Sequence, residues 1–178
     1  MQWWKRFRGS RGYGVHSPLA FRIVKNVVRP PRGQIYYGEE TLENAGGSRA
    51  AVSRARLLLR FVAELQPATV WTSPKLPESL IEAIRLAGCV VRIYDGALFP
   101  SEIAKADMVV VCNYRLKKAD LAAAMAPGKA LAAFDLRPEA MKAIEKAMKS
   151  GVILDGDGSL IAVNTADGAL HSYPVRRF

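Results

Sequence analysis

Four segments place polar or reactive side chains directly behind apolar, β-rich runs: Thr72 and Ser73 in "ATVWTS", Asp95 and Gly96 after "CVVRIY", Cys112 and Asn113 in "DMVVVCN", and Asp135 after "KALAAF". Parallel α/β sheets bind ligands at the carboxyl ends of their strands, so these are the positions from which chemistry can be done. An acid at the end of a second strand is placed to accept hydrogen bonds from both hydroxyls of a ribose, which makes Asp95 a candidate, with Gly96 beside it. The same residue suits a turn or helix cap. Thr72 and Ser73 open the strand–loop–helix stretch "ATVWTSPKLPESLIE", the order in which a nucleotide or related cofactor is often held. Its loop carries two prolines and no glycine. Asp135 is a candidate general base or polar anchor, and Asn113 adds a polar group at the third strand end.

Cys112 stands where a nucleophilic cysteine would, with Arg115, Lys117 and Lys118 near in sequence to lower its pKa. A phosphatase-type loop, however, needs glycines and an arginine six residues on, where this chain has Lys118, so a buried structural thiol is the better reading. "DGDGS" from Asp155 starts like a calcium loop, but its sixth position is Leu160 and its twelfth Ala166, so it reads as a turn. His16 and His171 are far apart with no cysteine or acid at ligand spacing, and no metal site is expected.

The elements that must position these groups follow from periodicity. In "HSPLAFRIVKNVV", Ser17 is a good N-cap, Pro18 fits the first helical position, and Ala20, Ile23, Val24, Val27 and Val28 form an apolar stripe ended by Pro30 and Pro31. "RGQIYYGEETLENAGGS" reads as a loop. A second helix runs from Ser48 to Gln66, with Val52, Ala55, Leu58, Leu59, Val62 and Leu65 inward and Arg49, Arg54, Arg56 and Arg60 mostly outward. From Pro67 the β-rich runs alternate with helices over Pro77–Ala87, Lys117–Ala126 and Pro138–Ser150, the pattern of a parallel sheet with helices on its faces. Only eleven residues separate Asp95 from Asp107, enough for a single crossover, so the sheet is expected to lack one strand. The Asp-Gly pairs after Gly151 predict a C-terminal antiparallel hairpin at the sheet edge. Residues 1–66 are thus a basic arm and helical extension on a core of residues 67–178, together one structural domain.

At 178 residues, half of them hydrophobic, the chain is long enough to bury about 70% of its unfolded surface without disulfides or metal. Cys89 and Cys112 lie in apolar runs, which suits free thiols in a reducing, cytoplasmic setting. No apolar run approaches the ~18 residues needed to span a bilayer. The net charge of +10 is uneven: residues 1–60 hold twelve Lys and Arg against Glu39, Glu40 and Glu43. Lys5, Arg6, Arg8 and Arg11 interleave with Trp3, Trp4, Phe7 and Tyr13, a mixture able to hold an anionic partner such as RNA, a membrane surface or an acidic protein, or to support a homodimer. A solvated basic terminus is the plainer reading.

"GYGVHSPLAFRIV", "ENAGGS", "SRARLLLRFVAELQPATV" and the closing "GVILD", "GSLIAV" and "LHSYPVRRF" together resemble the class I S-adenosylmethionine-dependent methyltransferases, in particular bacterial small O-methyltransferase-like proteins, over nearly the whole chain. The resemblance implies a Rossmann-like, doubly wound, mostly parallel sheet. It implies that the loop after the first strand holds the methionine end of S-adenosylmethionine, here by Thr72 and Ser73, and that Asp95 holds the ribose. In this chain the family's acid and glycine-rich run are replaced by Trp71, Thr72, Ser73, Pro74, Lys75, Leu76 and Pro77. Proline removes an N–H donor and fixes φ, so the expectation is a methyltransferase-like protein with an eroded cofactor site.

Overall fold

The computed structural model describes residues 17–30, 36–44, 47–88, 92–95, 100–114, 116–165 and 168–175, with residues 92–95 and 100 defined by their backbone. Candidate residues Lys5, Arg6, Arg8, Arg11 and Gly96, together with His16, Cys89 and Arg115, lie outside them.

Local sequence chemistry accounts for the first helices. Helix α1 (Pro18–Ile23) begins with Pro18 at its first position, while the Ser17 side chain accepts from the Ala20 N–H. It continues as a π turn over Val24–Val28 and stops at Arg29, one residue before Pro30. Helix α3 (Arg49–Leu65) is capped by Ser48 at one end and by Gln66 in the left-handed region at the other. Between them the acidic stretch expected to be a loop forms helix α2 (Glu39–Asn44). That departure has a partner-dependent cause: Glu39 is buried, and Arg60 of α3 donates from two of its nitrogens to the two Glu39 carboxylate oxygens at 2.6 and 2.8 Å, with Arg56 adding an ion pair at 3.2 Å.

Among the described residues seven strands form one mixed sheet in the order β2-β1-β3-β4-β6-β5-β7. They are β1 (Thr69–Thr72), β2 (Arg92–Asp95), β3 (Met108–Cys112), β4 (Ala130–Phe134), β5 (Gly151–Gly156), β6 (Ser159–Val163) and β7 (Leu170–Pro174). Strands β2, β1, β3 and β4 are mutually parallel, β6 runs antiparallel to both β4 and β5, and β7 is parallel to β5. The hairpin therefore does not lie at the edge as the turn signals suggested: β6 inserts between β4 and β5, and β7 takes the edge. Its turn is the expected one, with Asp157 and Gly158 both at positive φ, as a two-residue hairpin requires. Gly151 is obligatory, because at φ +103 a Cβ there would meet the Val163 carbonyl at 2.1 Å.

Helix α4 (Glu78–Leu86) joins β1 to β2, and among the described residues the connection from β2 to β3 carries one helix, α5 (Pro100–Lys105). Helices α6 (Lys118–Ala124) and α7 (Pro138–Ala147) follow β3 and β4. Alternate strand residues divide the core in two. Val70, Val110, Ala132 and Leu154 pack with α1, α3 and α4 on one face, whereas Trp71, Val109, Leu131 and Ile153 pack with α5, α6 and α7 on the other. The helices of the N-terminal third thus share a core with the sheet. None of the helices in the described residues is long and apolar enough to cross a membrane.

Candidate functional site

The chain passes from β1 outward to β2 and then back across β1 to β3, so strand order reverses at the β1–β3 boundary. The carboxyl ends of β1, β3 and β4 converge there, and the cross-strand register places Cys112 opposite Phe134. Asn113 and Asp135, the next residue on each strand, are both at positive φ (47° and 53°), as is Lys75 in the loop after β1 (61°). Side chains other than glycine adopt this conformation rarely, with Asn and Asp the most tolerant and Lys less so.

The β1 loop is turned inward. Thr72 and Ser73 are fully buried, and Leu76 is close to it. The Ser73 hydroxyl accepts from the Cys112 N–H at 3.3 Å, and the Ser73 N–H donates to the Val110 carbonyl at 2.9 Å. The serine singled out as a ligand group is used to join β1 to β3. Pro74 and Pro77 contribute no N–H to the loop. Asp95 ends β2 in register with Thr72, so the backbone places it at the expected strand end.

Asp135 is engaged by a residue that sequence spacing placed on an outward face. Arg54 of α3 donates from Nη1 to Asp135 Oδ2 at 2.9 Å and pairs from Nη2 with Oδ1 at 2.6 Å. Arg54 thus contacts both carboxylate oxygens and ties α3 to the end of β4, while the Asp135 side chain stays 42% exposed. The Cys112 thiol donates to the same Oδ2 at 3.6 Å. Burial, reinforced by the Asp135 charge, pushes that thiol up to about 11, so it is not activated by the lysines near it in sequence. Lys117 and Lys118 are exposed.

Two adjoining hollows open over the ends of β3 and β4. One, of about 460 Å³, is lined by Asn113, Tyr114, Asp135, Arg137 and Glu139. The other, of about 450 Å³, runs between α6 and α7 over Val111, Leu121 and Ile144 and shares Tyr114, Leu136, Glu139 and Ala140 with the first. Sequence reasoning marked Asn113 and Asp135 but missed Arg54, Tyr114, Arg137 and Glu139. Arg137 and Glu139 had a local signal, since they flank the Pro138 that starts α7 just past a strand end. Arg54 had none. Among the described residues no group of His, Cys, Asp and Glu is gathered in a way that could hold a metal ion.

Comparison with family models, curated proteins and solved structures gives no match for this chain.

Proposed function

We propose that this chain is a Rossmann-like, class I S-adenosylmethionine-dependent methyltransferase-like protein, shortened by one strand, whose cofactor site is eroded and which no longer transfers methyl groups. The observation that carries the reading is the loop after β1. Its strand–loop–helix order is retained, but Ser73 is buried with its hydroxyl held by the Cys112 N–H, Leu76 is turned inward, and two prolines remove donors. A cofactor cradle needs backbone N–H groups and close approach, which glycine permits and proline does not. The parallel order β2-β1-β3-β4 with its reversal at β1 supports the Rossmann-like part of the proposal, and Asp95 keeps the acid that the resemblance expects at the end of β2. The residues of the β1 loop do not fit the methionine end of S-adenosylmethionine. The test is a melt of the full chain with S-adenosylmethionine or S-adenosylhomocysteine at millimolar concentration, with Trp71 fluorescence as a second signal. Unchanged melting and emission are expected; a saturable rise in melting temperature overturns the reading.

A second reading concerns the basic third, and a specific observation favours it. Within residues 17–60 the arginines are largely used inside the fold: Arg22 pairs with Glu64, Arg54 with Asp135, Arg56 with Glu39 and Glu43, and Arg60 with Glu39. The charge excess therefore concentrates toward Lys5, Arg6, Arg8 and Arg11, with Lys25, Arg29 and Arg49 exposed on the body. On this reading the protein is a cytoplasmic binding module that holds an anionic partner, RNA first, on that basic arm. Single-stranded RNA binding whose logarithm falls steeply with the logarithm of salt, and which flattens when the four residues become alanine, is the expected result. No binding at low salt eliminates it.

A further inference from the structure

The hollow between α6 and α7 differs from the polar groups at the strand ends. Its floor is Val111 of β3, and Leu121, Leu136 and Ile144, all buried or nearly so, form its deeper walls. Alanines on the facing helix sides, Ala122 on α6 and Ala140, Ala143 and Ala147 on α7, leave the space between the helices unfilled. A volume of about 450 Å³ lies within the range of small-molecule sites. The lining of this hollow on α7 runs from Glu139 to Ala147, so at 1.5 Å per residue the trough extends about 12 Å along the helix.

The two ends of this trough are unlike. Toward the end of α7 the trough is lined by Ala143, Ala147 and, as its one charged residue there among the described residues, Lys146. At the other end it adjoins the polar hollow at the carboxyl edge of the sheet: Tyr114 and Glu139 line both, Lys118 lines the trough, and Asn113 and Arg137 line the hollow. Asp135 also faces that mouth, but its charge is matched by Arg54. Among the described residues, Lys118 and Arg137 against Glu139 give the mouth a net positive charge. An apolar trough of this length with a cationic, hydrogen-bonding mouth is complementary to a molecule with an apolar tail and an anionic head.

We propose that the α6–α7 trough binds a free single-chain fatty carboxylate, with its head beside Lys118 and Arg137 at the carboxyl edge of the sheet and its tail lying along Val111, Leu121, Ala143 and Ile144 toward Lys146. The assignment shares Asn113 with the cofactor candidates but uses neither the β1 loop nor Asp95, so absence of S-adenosylmethionine binding leaves it standing.

The test is a titration of the full chain, labelled with ¹³C at alanine methyls, with decanoate below its micelle concentration. Saturable shifts of the Ala140, Ala143 and Ala147 methyls are expected, while the Ala55 methyl, buried on the opposite face, stays fixed. Lys118→Glu weakens binding by about tenfold, and Lys146→Glu by less than about twofold, since only the former faces the head. Ala143→Trp, at an exposed helical position, fills the trough and abolishes the shifts while the melting temperature shows that the chain still folds. Decanol, which has the same tail and no charge, binds more weakly than decanoate. No saturable shift with decanoate, equal binding of decanol, or a greater loss from Lys146→Glu than from Lys118→Glu overturns the proposal. Shifts of the same methyls with protein concentration, and none with decanoate, assign the trough to a second copy and overturn it equally.

Discussion

Arg54 and Asp135, 81 positions apart in the chain, are joined by a two-point ion pair that ties the middle of α3 to the residue following β4. The pair spans two elements that no local pattern relates, and it takes the acid that otherwise has the best claim to chemistry. Its side chains are 30% and 42% exposed, so water and salt screen it. A double-mutant cycle between Arg54→Ala and Asp135→Asn in chemical denaturation is expected to give a coupling of about 1 kcal/mol, diminishing at high salt.

Asp135 also carries a backbone demand. At φ +53 a β-carbon is disfavoured unless a short polar side chain relieves it locally. Asp135→Ala is therefore expected to cost about 1–2 kcal/mol, and Asp135→Asn less, because asparagine tolerates the left-handed region. Equal losses in urea unfolding would show that backbone conformation contributes nothing at this position.

Lys75 offers the reciprocal case in the β1 loop. It is exposed and held at φ +61, so Lys75→Gly relieves a local strain at the cost of a more flexible unfolded chain. The expected outcome is unchanged stability or a gain of up to about 1 kcal/mol, the reverse of the usual effect of introducing glycine. A clear loss in the unfolding midpoint would mean that the Lys75 side chain holds the loop.

Glu39 gives the clearest pH dependence. Burial alone would raise its pKa, but the hydrogen bonds and charge of Arg60, with Arg56, outweigh it and hold the carboxyl below the ordinary value of 4.5. A group depressed in the folded state contributes its full stability above the unfolded value and loses it as pH falls through the folded one. Stability is thus expected to fall on acidification below about pH 4.5, and the Glu39→Gln chain, already less stable by about 3 kcal/mol, should show a shallower fall over that range. Parallel pH profiles for the two chains would contradict this assignment.

Cys112, with its thiol raised to about 11, is protonated at neutral pH. In a Cys89→Ser background its alkylation by iodoacetamide at pH 7 should be roughly a hundredfold slower than that of an exposed thiol. Asp135→Asn removes the adjacent negative charge and should raise the rate. An alkylation rate near that of a free thiol would contradict the half-buried, charge-opposed environment.

What the sequence reveals is what local chemistry determines. The Ser17 cap, the buried runs of β3 and β4, and the short crossover after Asp95 are settled by neighbouring residues. The insertion of β6 between β4 and β5 is not, because a strand carries no mark of which open edge it will join. Helix α2 is hidden for a related reason: "EETLEN" is polar, and Glu39 is buried only because arginines of α3 come to meet it. The site divides in the same way. Asn113, Asp135 and Asp95 are visible as strand ends, whereas the inward turn of Ser73, the grip of Arg54 and the charge environment of Cys112 arise from residues brought together by the fold.

The central claim, that the strand–loop–helix order survives without its cofactor function, is tested most directly by isothermal titration calorimetry of S-adenosylhomocysteine into the full chain. The account predicts no saturable heat up to millimolar ligand; a saturable one-to-one isotherm within that range would contradict it.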